Sequence, residues 1–220
     1  MSEVERGDGG AKRSGAAKES GSGGRRSDGG TARLLLLVPM VVEAAALRRV
    51  VRGATVLRTG VGPARAAAAA VKASRLAGAA VAVGGFCGAL TDDLRAGDIV
   101  VASEVRELHG QGVRCSTEPL VAALRGRGLQ RVFVGPVVSV DHVVRGAERA
   151  ILAAGGALAV DMESAWLAPA AAGRPFAVLR VVLDTPAREV TRSLATLVAG
   201  VTAWRARRRA GPALGAWVAA

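Results

Sequence analysis

The sequence predicts a single α/β domain built on an open, largely parallel sheet that helices cover on both faces. Short apolar runs typical of buried strands alternate with helical segments along the chain, which is the pattern of such sheets. Half of the 220 residues are apolar, but aromatic residues make up only 3% and Tyr is absent. The core must therefore be built from Ala, Val and Leu, and this favours tight packing of helices on a sheet.

The two ends of the chain differ in composition from its centre. Residues 1–33 are rich in Gly, Ser and mixed charges. Such a segment buries too little apolar surface to offset its ordering entropy, so we predict a disordered tail. The predicted domain covers residues 34–210, and residues 211–220 are predicted to be a flexible C-terminal segment.

The first half of the domain begins with the run LLLLV, an uninterrupted apolar strand ended by Pro39. Ala-rich composition and a closing Gly78 predict the strongest helix of this half. The turn GVGP precedes that helix. The predicted strands are 34–38, 54–59, 79–85 and 98–105, and the predicted helices are 42–50 and 64–78.

The second half continues the alternation. Apolar runs predict strands, the longest of which ends at Asp184, and Gly155–Gly156 ends a helix. The predicted strands are 131–140, 157–163 and 175–184, and the predicted helices are 119–128, 144–155, 164–173 and 189–209. Ligands of open α/β sheets bind at the carboxyl ends of the strands, so the site is expected there.

Composition limits the kinds of binding partner that the chain is expected to have. The net charge of +12 comes mostly from scattered Arg, and no nucleic-acid-binding motif is present, so a basic solvated surface is favoured over a nucleic-acid partner. Cys87 and Cys115 fit no metal-ligand spacing and are expected to be reduced thiols. No signal pattern or apolar run of roughly 20 residues occurs. We therefore expect a cytoplasmic protein without a metal site.

Two carboxylates are the strongest catalytic candidates. Asp184 lies at the mouth of a buried strand, where partial desolvation suits a general acid, although a turn or helix-cap Asp before Thr185 is an equal alternative. Asp161 and Glu163 lie two residues apart on a predicted strand and would share a face. Glu163 could bind a diol, or it could simply begin a helix.

Weaker candidates lie near the other strand ends. Glu43 follows the first strand and could act as a base or orient water, or could begin a helix. The segment GGFCGAL is interpreted as a Gly-rich turn whose backbone approaches a ligand, without the pattern of a P-loop or a dinucleotide fingerprint. His109 is expected on a surface loop, and His142 is a possible pocket residue.

Taken in order, several segments resemble the nucleoside phosphorylase superfamily on its 5′-methylthioadenosine/S-adenosylhomocysteine nucleosidase side, from about Leu34 to Trp204. Within it the chain is most similar to hopanoid-associated phosphorylases. The segments are GVGPARAAAA, GGFCGALTDDLRAGDIVVASEV, VVSVDHV, AVDMESAWLA and RPFAVLRVVLD. The resemblance implies a three-layer α/β/α sandwich around a mixed, partly barrel-like sheet.

The resemblance also implies roles. Asp184 would protonate N7 of a departing purine, Met162 would pack under the sugar, Glu163 would bind the ribose hydroxyls, and Glu43 would activate water. The remaining substrate-binding candidates are Gly85, Phe86, Cys87, Gly88, Val143 and Asp161. No cofactor is expected, although phosphate is a possible co-substrate, and we expect a homo-oligomer, a dimer.

Some positions depart from the family pattern. Val83 and Phe86 stand where phosphorylases offer phosphate an Arg and a Ser, although Arg65 could substitute. Val143 replaces the aromatic that stacks on the base, and Leu183 replaces a Ser. Segments 48–58 and 108–118 are short, which would open the 5′ side of the pocket. An apolar 5′ substituent is therefore expected, as in adenosylhopane.

The sequence also leaves two alternative functions open, and it suggests a segment that could dock on a membrane surface. The chain could be a 5′-methylthioadenosine/S-adenosylhomocysteine nucleosidase, or a non-catalytic nucleoside-binding protein of the same fold. Near the C-terminus, Trp204 and Trp217 flank four arginines, Arg205 and Arg207–Arg209. This composition suits weak docking at an anionic membrane surface, or a solvated helix end.

Overall fold

The computed structural model describes residues 34–40, 44, 47, 51, 53–189 and 194–219. Its strands are β1 (Leu34–Val38), β2 (Thr55–Arg58), β3 (Ala80–Ala89), β4 (Ile99–Glu107), β5 (Val113–Arg114), β6 (Val132–Ser139), β7 (Ala159–Asp161) and β8 (Phe176–Asp184). Its helices are α1 (Pro63–Ser74), α2 (Glu118–Gly126), α3 (Ala147–Ala154), α4 (Ser164–Leu167) and α5 (Leu194–Ala219), and a 3₁₀ turn (Ala168–Ala171) follows α4.

The described strands form one mixed sheet that closes partly on itself. Strands β2, β1, β3 and β8 run parallel to their neighbours, and β8 also pairs antiparallel with β4. From β4 the sheet continues through parallel pairs to β6 and β7, and β7 returns antiparallel to the end of β3. Five strands therefore make a closed circuit, so the sheet is not the open one that the alternation of strands and helices predicted. It is partly barrel-like, as the family resemblance implied.

Alternate residues of the central strands enter two different cores. In β1, Leu35 and Leu37 pack with α1 and the 3₁₀ turn, whereas Leu34, Leu36 and Val38 pack with α2 and α5. All five of these β1 residues are at most 3% exposed. An uninterrupted apolar run is required wherever helices cover both faces of a strand. The predicted three-layer α/β/α architecture is confirmed.

The glycine-rich segment is not the turn that the sequence predicted. Gly84, Gly85 and Gly88 lie inside β3, which continues to Ala89 and pairs with β8 along its length. The glycines were predicted to let the backbone of a turn approach a ligand. In the structure they instead provide space for side chains of neighbouring elements. The strand predicted over 157–163 is also shorter, because β7 ends at Asp161.

The C-terminal segment differs most from its prediction. Residues 211–220 were expected to be flexible, yet α5 continues to Ala219 with Pro212 inside it. An interior Pro costs a helix about 3 kcal/mol, but burial of large apolar side chains contributes about 1.5–3 kcal/mol each. Leu214 and Trp217 are both buried against the sheet. Their burial therefore offsets the tendency of Pro212 to end the helix.

The same burial revises the membrane hypothesis. Arg207 is 1% exposed and Trp217 is 5% exposed, so neither can meet a membrane surface. Trp204 and the three other arginines of the cluster remain exposed. Within the described residues, no helix combines the length and apolarity needed to cross a bilayer.

Candidate active site

A cavity of about 240 Å³ opens where β1, β3, β7 and β8 end or pass. The sheet brings its charged residues together from two directions, because β7 runs antiparallel to β3, with Val160 opposite Gly88. Site residues lie at or just after the carboxyl ends of β1, β7 and β8, as predicted, although β7 reaches the cavity from the direction opposite to β3. The cavity is lined by Pro39, Met40, Val61, Phe86, Cys87, Gly88, His142, Val143, Val144, Arg149, Val160, Asp161, Met162, Glu163, Arg180, Leu183 and Asp184.

Two glycines of β3 make room for the charged groups. A Cβ added at Gly85 would lie 2.0 Å from Nη1 of Arg180. A Cβ added at Gly88 would lie 2.8 Å from Oδ1 of Asp184 and 3.1 Å from Nη1 of Arg149. A Cβ at Gly85 would displace the Arg180 guanidinium, and one at Gly88 would displace the Asp184 carboxylate, so glycine keeps the space that these buried groups occupy. Both residues were predicted to bind substrate, and the structure gives them this spatial role.

Arg180 organises one end of the cavity. Its side chain is fully buried, and Nη2 lies 2.7 Å from Oδ2 of Asp161 and 3.5 Å from Oε2 of Glu163. Nε and Nη2 also donate to Oγ of Ser164, at 3.1 and 2.8 Å. A buried guanidinium is tolerated only when carboxylates and hydrogen bonds compensate its lost hydration. We refer to Arg180, Asp161 and Glu163 as the Arg180 group.

Asp161 makes several close contacts within the protein. Its side chain is 0% exposed, and Oδ1 accepts hydrogen bonds from Oγ of Ser139 at 2.5 Å and from the backbone N–H groups of Glu163 and Ser164 at 3.1 Å. The carboxylate therefore fixes the start of α4, where backbone N–H groups need acceptors. Asp161 was predicted to bind substrate; it lines the cavity, and these contacts also give it a structural role.

Glu163 is held by longer contacts. It occupies the N-cap position of α4, but its side chain makes no capping hydrogen bond. Instead, Oε1 accepts from the backbone N–H of Gly62 at 3.3 Å, and Oε2 faces Arg180 at 3.5 Å. The side chain is 6% exposed and lines the cavity. The alternative explanation, that the carboxylate supports the start of a helix, therefore applies to Asp161. Glu163 instead faces the cavity.

Asp184 and Arg149 form the other end of the cavity. Nη2 of Arg149 donates to Oδ2 of Asp184 at 2.5 Å, and Nη1 donates to the carbonyl oxygen of Ala89 at 2.6 Å. Glu189 approaches Nε of Arg149 at 3.4 Å and accepts from the N–H of Gly146. The turn that follows Asp184 is closed by backbone hydrogen bonds between Thr185 and Arg188. We refer to Arg149, Asp184 and Glu189 as the Arg149 group.

Between these two groups the wall is apolar. Phe86, Met162 and Val143 line it, and Val143 is 55% exposed. Cys87 is buried there, and burial raises the pKa of its thiol above the ordinary value, so it lines the cavity as a neutral group. An apolar slot with few polar groups at its ends is the usual form of a small-molecule site.

His142 lies at the exposed rim of the cavity. Its Nδ1 is 2.7 Å from Oδ1 of Asp141, and its Nε2 is 2.8 Å from Oε1 of Glu148. The hydrogen bond to Asp141, followed by the one to Glu148, raises the pKa of this imidazole above its ordinary value. The sequence-based suggestion that His142 lines a pocket is confirmed, and His109 is exposed as expected.

The structure brings together most of the predicted residues. Phe86, Cys87, Gly88, Val143, Asp161, Met162, Glu163 and Asp184 all line the cavity. Glu43 lies outside the described residues, and Arg65 is exposed, where its Nη1 is 3.5 Å from the carbonyl oxygen of Val61. Sequence analysis missed Arg149 and Arg180 as site residues. Arg180 had left a signal as the only polar residue among the eight that precede Asp184 in its strand, whereas Arg149 had left none.

Solved structures of known enzymes share this fold. The 5′-methylthioadenosine/S-adenosylhomocysteine nucleosidase from Colwellia psychrerythraea 34H, in complex with adenine, superposes with a TM-score of 0.72 and 22% identity over 85% of this chain and 96% of that one. The nucleosidase from S. pneumoniae, with a transition-state inhibitor, gives 0.66 and 18% over 84% and 98%. A futalosine hydrolase mutant from Helicobacter pylori gives 0.68 and 18% over 86% and 99%.

Sequence comparison identifies the family directly. Comparison with curated proteins finds no match. However, the family model described as the phosphorylase superfamily matches residues 48–211, which include every charged residue of the Arg180 and Arg149 groups. The chain therefore belongs to the phosphorylase superfamily.

Proposed function

We propose that this protein cleaves the N-glycosidic bond of an adenine nucleoside, with Asp184 acting on the purine and Glu163 binding the ribose. The observation that carries the proposal is the pair of carboxylates at opposite ends of one apolar cavity. The solved structures of the same fold include a nucleosidase in complex with adenine.

The proposed reaction develops positive charge on the ribosyl ring and negative charge on the purine. Protonation at N7 by Asp184 neutralises the leaving group, and a positioned acid contributes about 10²–10⁴-fold to the rate. Arg149, paired with Oδ2 of Asp184, stabilises the carboxylate that remains after the proton has moved. At the other end, Glu163 accepts hydrogen bonds from the ribose hydroxyls and stabilises the ring cation electrostatically.

The charged lining supports water rather than phosphate as the acceptor. Among the described residues, the arginines that line the cavity are Arg149 and Arg180, and carboxylates already compensate both. A phosphate dianion beside Arg180 would also meet Asp161 and Glu163, and like charges at short range repel. Glu43, which lies outside the described residues, remains the proposed group that activates water. Phosphorolysis is the alternative.

The rim of the cavity supports an apolar substituent at the 5′ position of the ribose. Met40, Val61 and Val143 line the cavity, and these large apolar side chains are 36–55% exposed. Exposed apolar side chains grouped at one opening favour an apolar ligand. This supports adenosylhopane as the proposed substrate. A membrane contact would then fall to Trp204 and its exposed arginines, and co-sedimentation with anionic liposomes would detect it.

The test is release of adenine, followed by chromatography, from adenosylhopane, 5′-methylthioadenosine and S-adenosylhomocysteine, with and without phosphate. We expect adenine and a free sugar in phosphate-free buffer, with adenosylhopane giving the highest kcat/KM. A sugar phosphate formed only in phosphate buffer would establish phosphorolysis. A preference for 5′-methylthioadenosine would establish the alternative nucleosidase activity. Binding without any release would make the protein a non-catalytic nucleoside-binding protein.

A further inference from the structure

Arg207 is a buried arginine that the proposed chemistry does not use. It lies on α5 and is 1% exposed, and with Arg180 it is among the largest fully buried side chains of the described residues. Its neighbours on the same helix face, Ala203, Ala210 and Leu214, are apolar and buried in the core beneath the sheet. A charged side chain in such a place requires specific partners.

The partners of Arg207 include two positions on β3. Nη2 donates to the carbonyl oxygen of Gly84 at 3.2 Å, and Cζ lies 5.4 Å from the centroid of the Phe86 ring. Alternate residues of a strand share a face, so Arg207 contacts one face of β3 at both positions. A guanidinium over an aromatic ring within about 6 Å is attracted to the ring, and the attraction is largest where both groups are desolvated.

Phe86 connects this contact to the cavity. It is partly exposed and lines the cavity. Its carbonyl oxygen also accepts from Nη1 of Arg180 at 3.4 Å, and Arg180 faces Glu163. Residue 86 therefore lies between one arginine that contacts its ring and another that contacts its backbone.

We infer that Arg207 is a positioning residue, which holds the Phe86 ring in the cavity wall and thereby sets the affinity for the ligand without touching it. The inference rests on the proposed function for the identity of that ligand. Because Phe86 lines the cavity and is none of the charged groups assigned to the reaction, displacing its ring changes binding more than the chemical step. The variant should therefore have a higher KM at a nearly unchanged kcat.

The chain offers a direct spectroscopic test, because it contains three Phe residues, at 86, 133 and 176. The full chain labelled with fluorophenylalanine gives three ¹⁹F resonances, and Phe86→Leu assigns that of Phe86. Arg207→Met keeps the length of the side chain but removes its charge. The matched control is Arg208→Met, since Arg208 lies 4.8 Å from the Trp204 ring in the same kind of contact on the exposed side of α5.

In Arg207→Met we expect the Phe86 resonance to shift or broaden while those of Phe133 and Phe176 stay in place. We expect no change in Arg208→Met. The KM for the cleaved nucleoside should rise about threefold to tenfold, which corresponds to the loss of one desolvated cation–π contact, with kcat within about twofold. Arg207→Lys, which keeps the charge, should restore part of the wild-type KM.

An unchanged Phe86 resonance in Arg207→Met would overturn the inference, as would displacement of all three resonances in both variants of Arg207. If Arg207→Met does not fold, Arg207→Lys carries the test, and failure of both to fold would also overturn it. If the wild-type protein cleaves no nucleoside, the proposed function fails separately. The effect of Arg207 on Phe86 is then read from the ¹⁹F spectrum during titration with adenine.

Discussion

The two ends of the cavity have the same components in opposite arrangements. Each end has one buried arginine with one close and one distant carboxylate. Arg180 lies 2.7 Å from Asp161 and 3.5 Å from Glu163, whereas Arg149 lies 2.5 Å from Asp184 and 3.4 Å from Glu189. Both carboxylates of the Arg180 group line the cavity, but the close one, Asp161, also accepts from Ser139 and from the start of α4. In the Arg149 group the close carboxylate, Asp184, lines the cavity and the distant one, Glu189, does not.

This difference matches the two proposed tasks. Glu163, whose contacts with Arg180 and Gly62 are 3.5 and 3.3 Å long, is the carboxylate of the Arg180 group that is proposed to bind hydroxyl groups. Asp184 is held by the shorter contact, from Nη2 of Arg149 to its Oδ2, and this contact fixes the orientation of the carboxyl group beside the cavity. If this assignment is right, substitutions of some carboxylates should lower the rate of the reaction, and substitutions of others should mainly lower the free energy of unfolding.

The largest effect is expected at the close carboxylate that faces the cavity. Asp184→Asn should release adenine about 10²–10⁴-fold more slowly, because an amide cannot protonate N7. Nucleoside binding should persist, although loss of the buried ion pair with Arg149 should also lower the free energy of unfolding. Steady-state kinetics and calorimetric binding check both expectations, and near-normal turnover would remove Asp184 from the mechanism.

The close carboxylate at the other end should affect stability instead. Asp161→Asn leaves Arg180 without its nearest charge, and breaking a buried ion pair in this way costs about 3–5 kcal/mol. Urea denaturation monitored by circular dichroism measures that loss. The matched control is Glu189→Gln, the partly exposed distant partner of Arg149, for which a loss within about 1 kcal/mol is expected. Equal losses in the two variants would contradict the proposed division.

The sequence predicted the layers of the fold because one physical signal dominates there. Runs such as Leu34–Val38 are apolar throughout, and only a strand covered on both faces requires that. Asp184 and Glu163 could also be found from the sequence, since each is a carboxylate at the end of an apolar run. The resemblance of the surrounding motifs to a known family supplied their proposed roles.

Other features depended on partners distant in sequence. Nothing near Gly85 or Gly88 indicates that Arg180 and Arg149 fill the space beside them, so their local pattern resembled a turn. Likewise, the sequence treats Asp161 and Glu163 alike, and only Ser139 and the start of α4 distinguish them. The stop signal at Gly211–Pro212 was outweighed by burial of Leu214 and Trp217, which the local sequence does not reveal.

A smaller effect is expected at Glu163, the distant carboxylate of the Arg180 group. Glu163→Gln should lower kcat/KM about tenfold, since a charge-assisted hydrogen bond to the ribose is roughly twice as strong as a neutral one. The free energy of unfolding should fall less than in Asp161→Asn, because the contact of Glu163 with Arg180 is longer than that of Asp161, at 3.5 against 2.7 Å. A fully active but unstable variant would show that Glu163 is a structural residue after all.

The smallest effect concerns His142 at the rim, which connects to the Arg149 group through Glu148, the neighbour of Arg149 on α3. Hydrogen bonds to Asp141 and Glu148 raise the pKa of His142 above 6.5, so the bridge is complete at low pH and is lost as the pH rises through that raised pKa. The chain contains two His residues, so ¹H–¹⁵N NMR titration with a His109→Gln variant assigns the signal of His142. Asp141→Asn should lower the pKa of His142 more than Glu148→Gln does, because the hydrogen bond to Asp141 is the larger cause.

If loss of the bridge loosens α3, a modest rise in KM above the pKa of His142 should persist in Glu163→Gln and disappear in Glu148→Gln. A rise in KM that survives in Glu148→Gln would separate His142 from the Arg149 group.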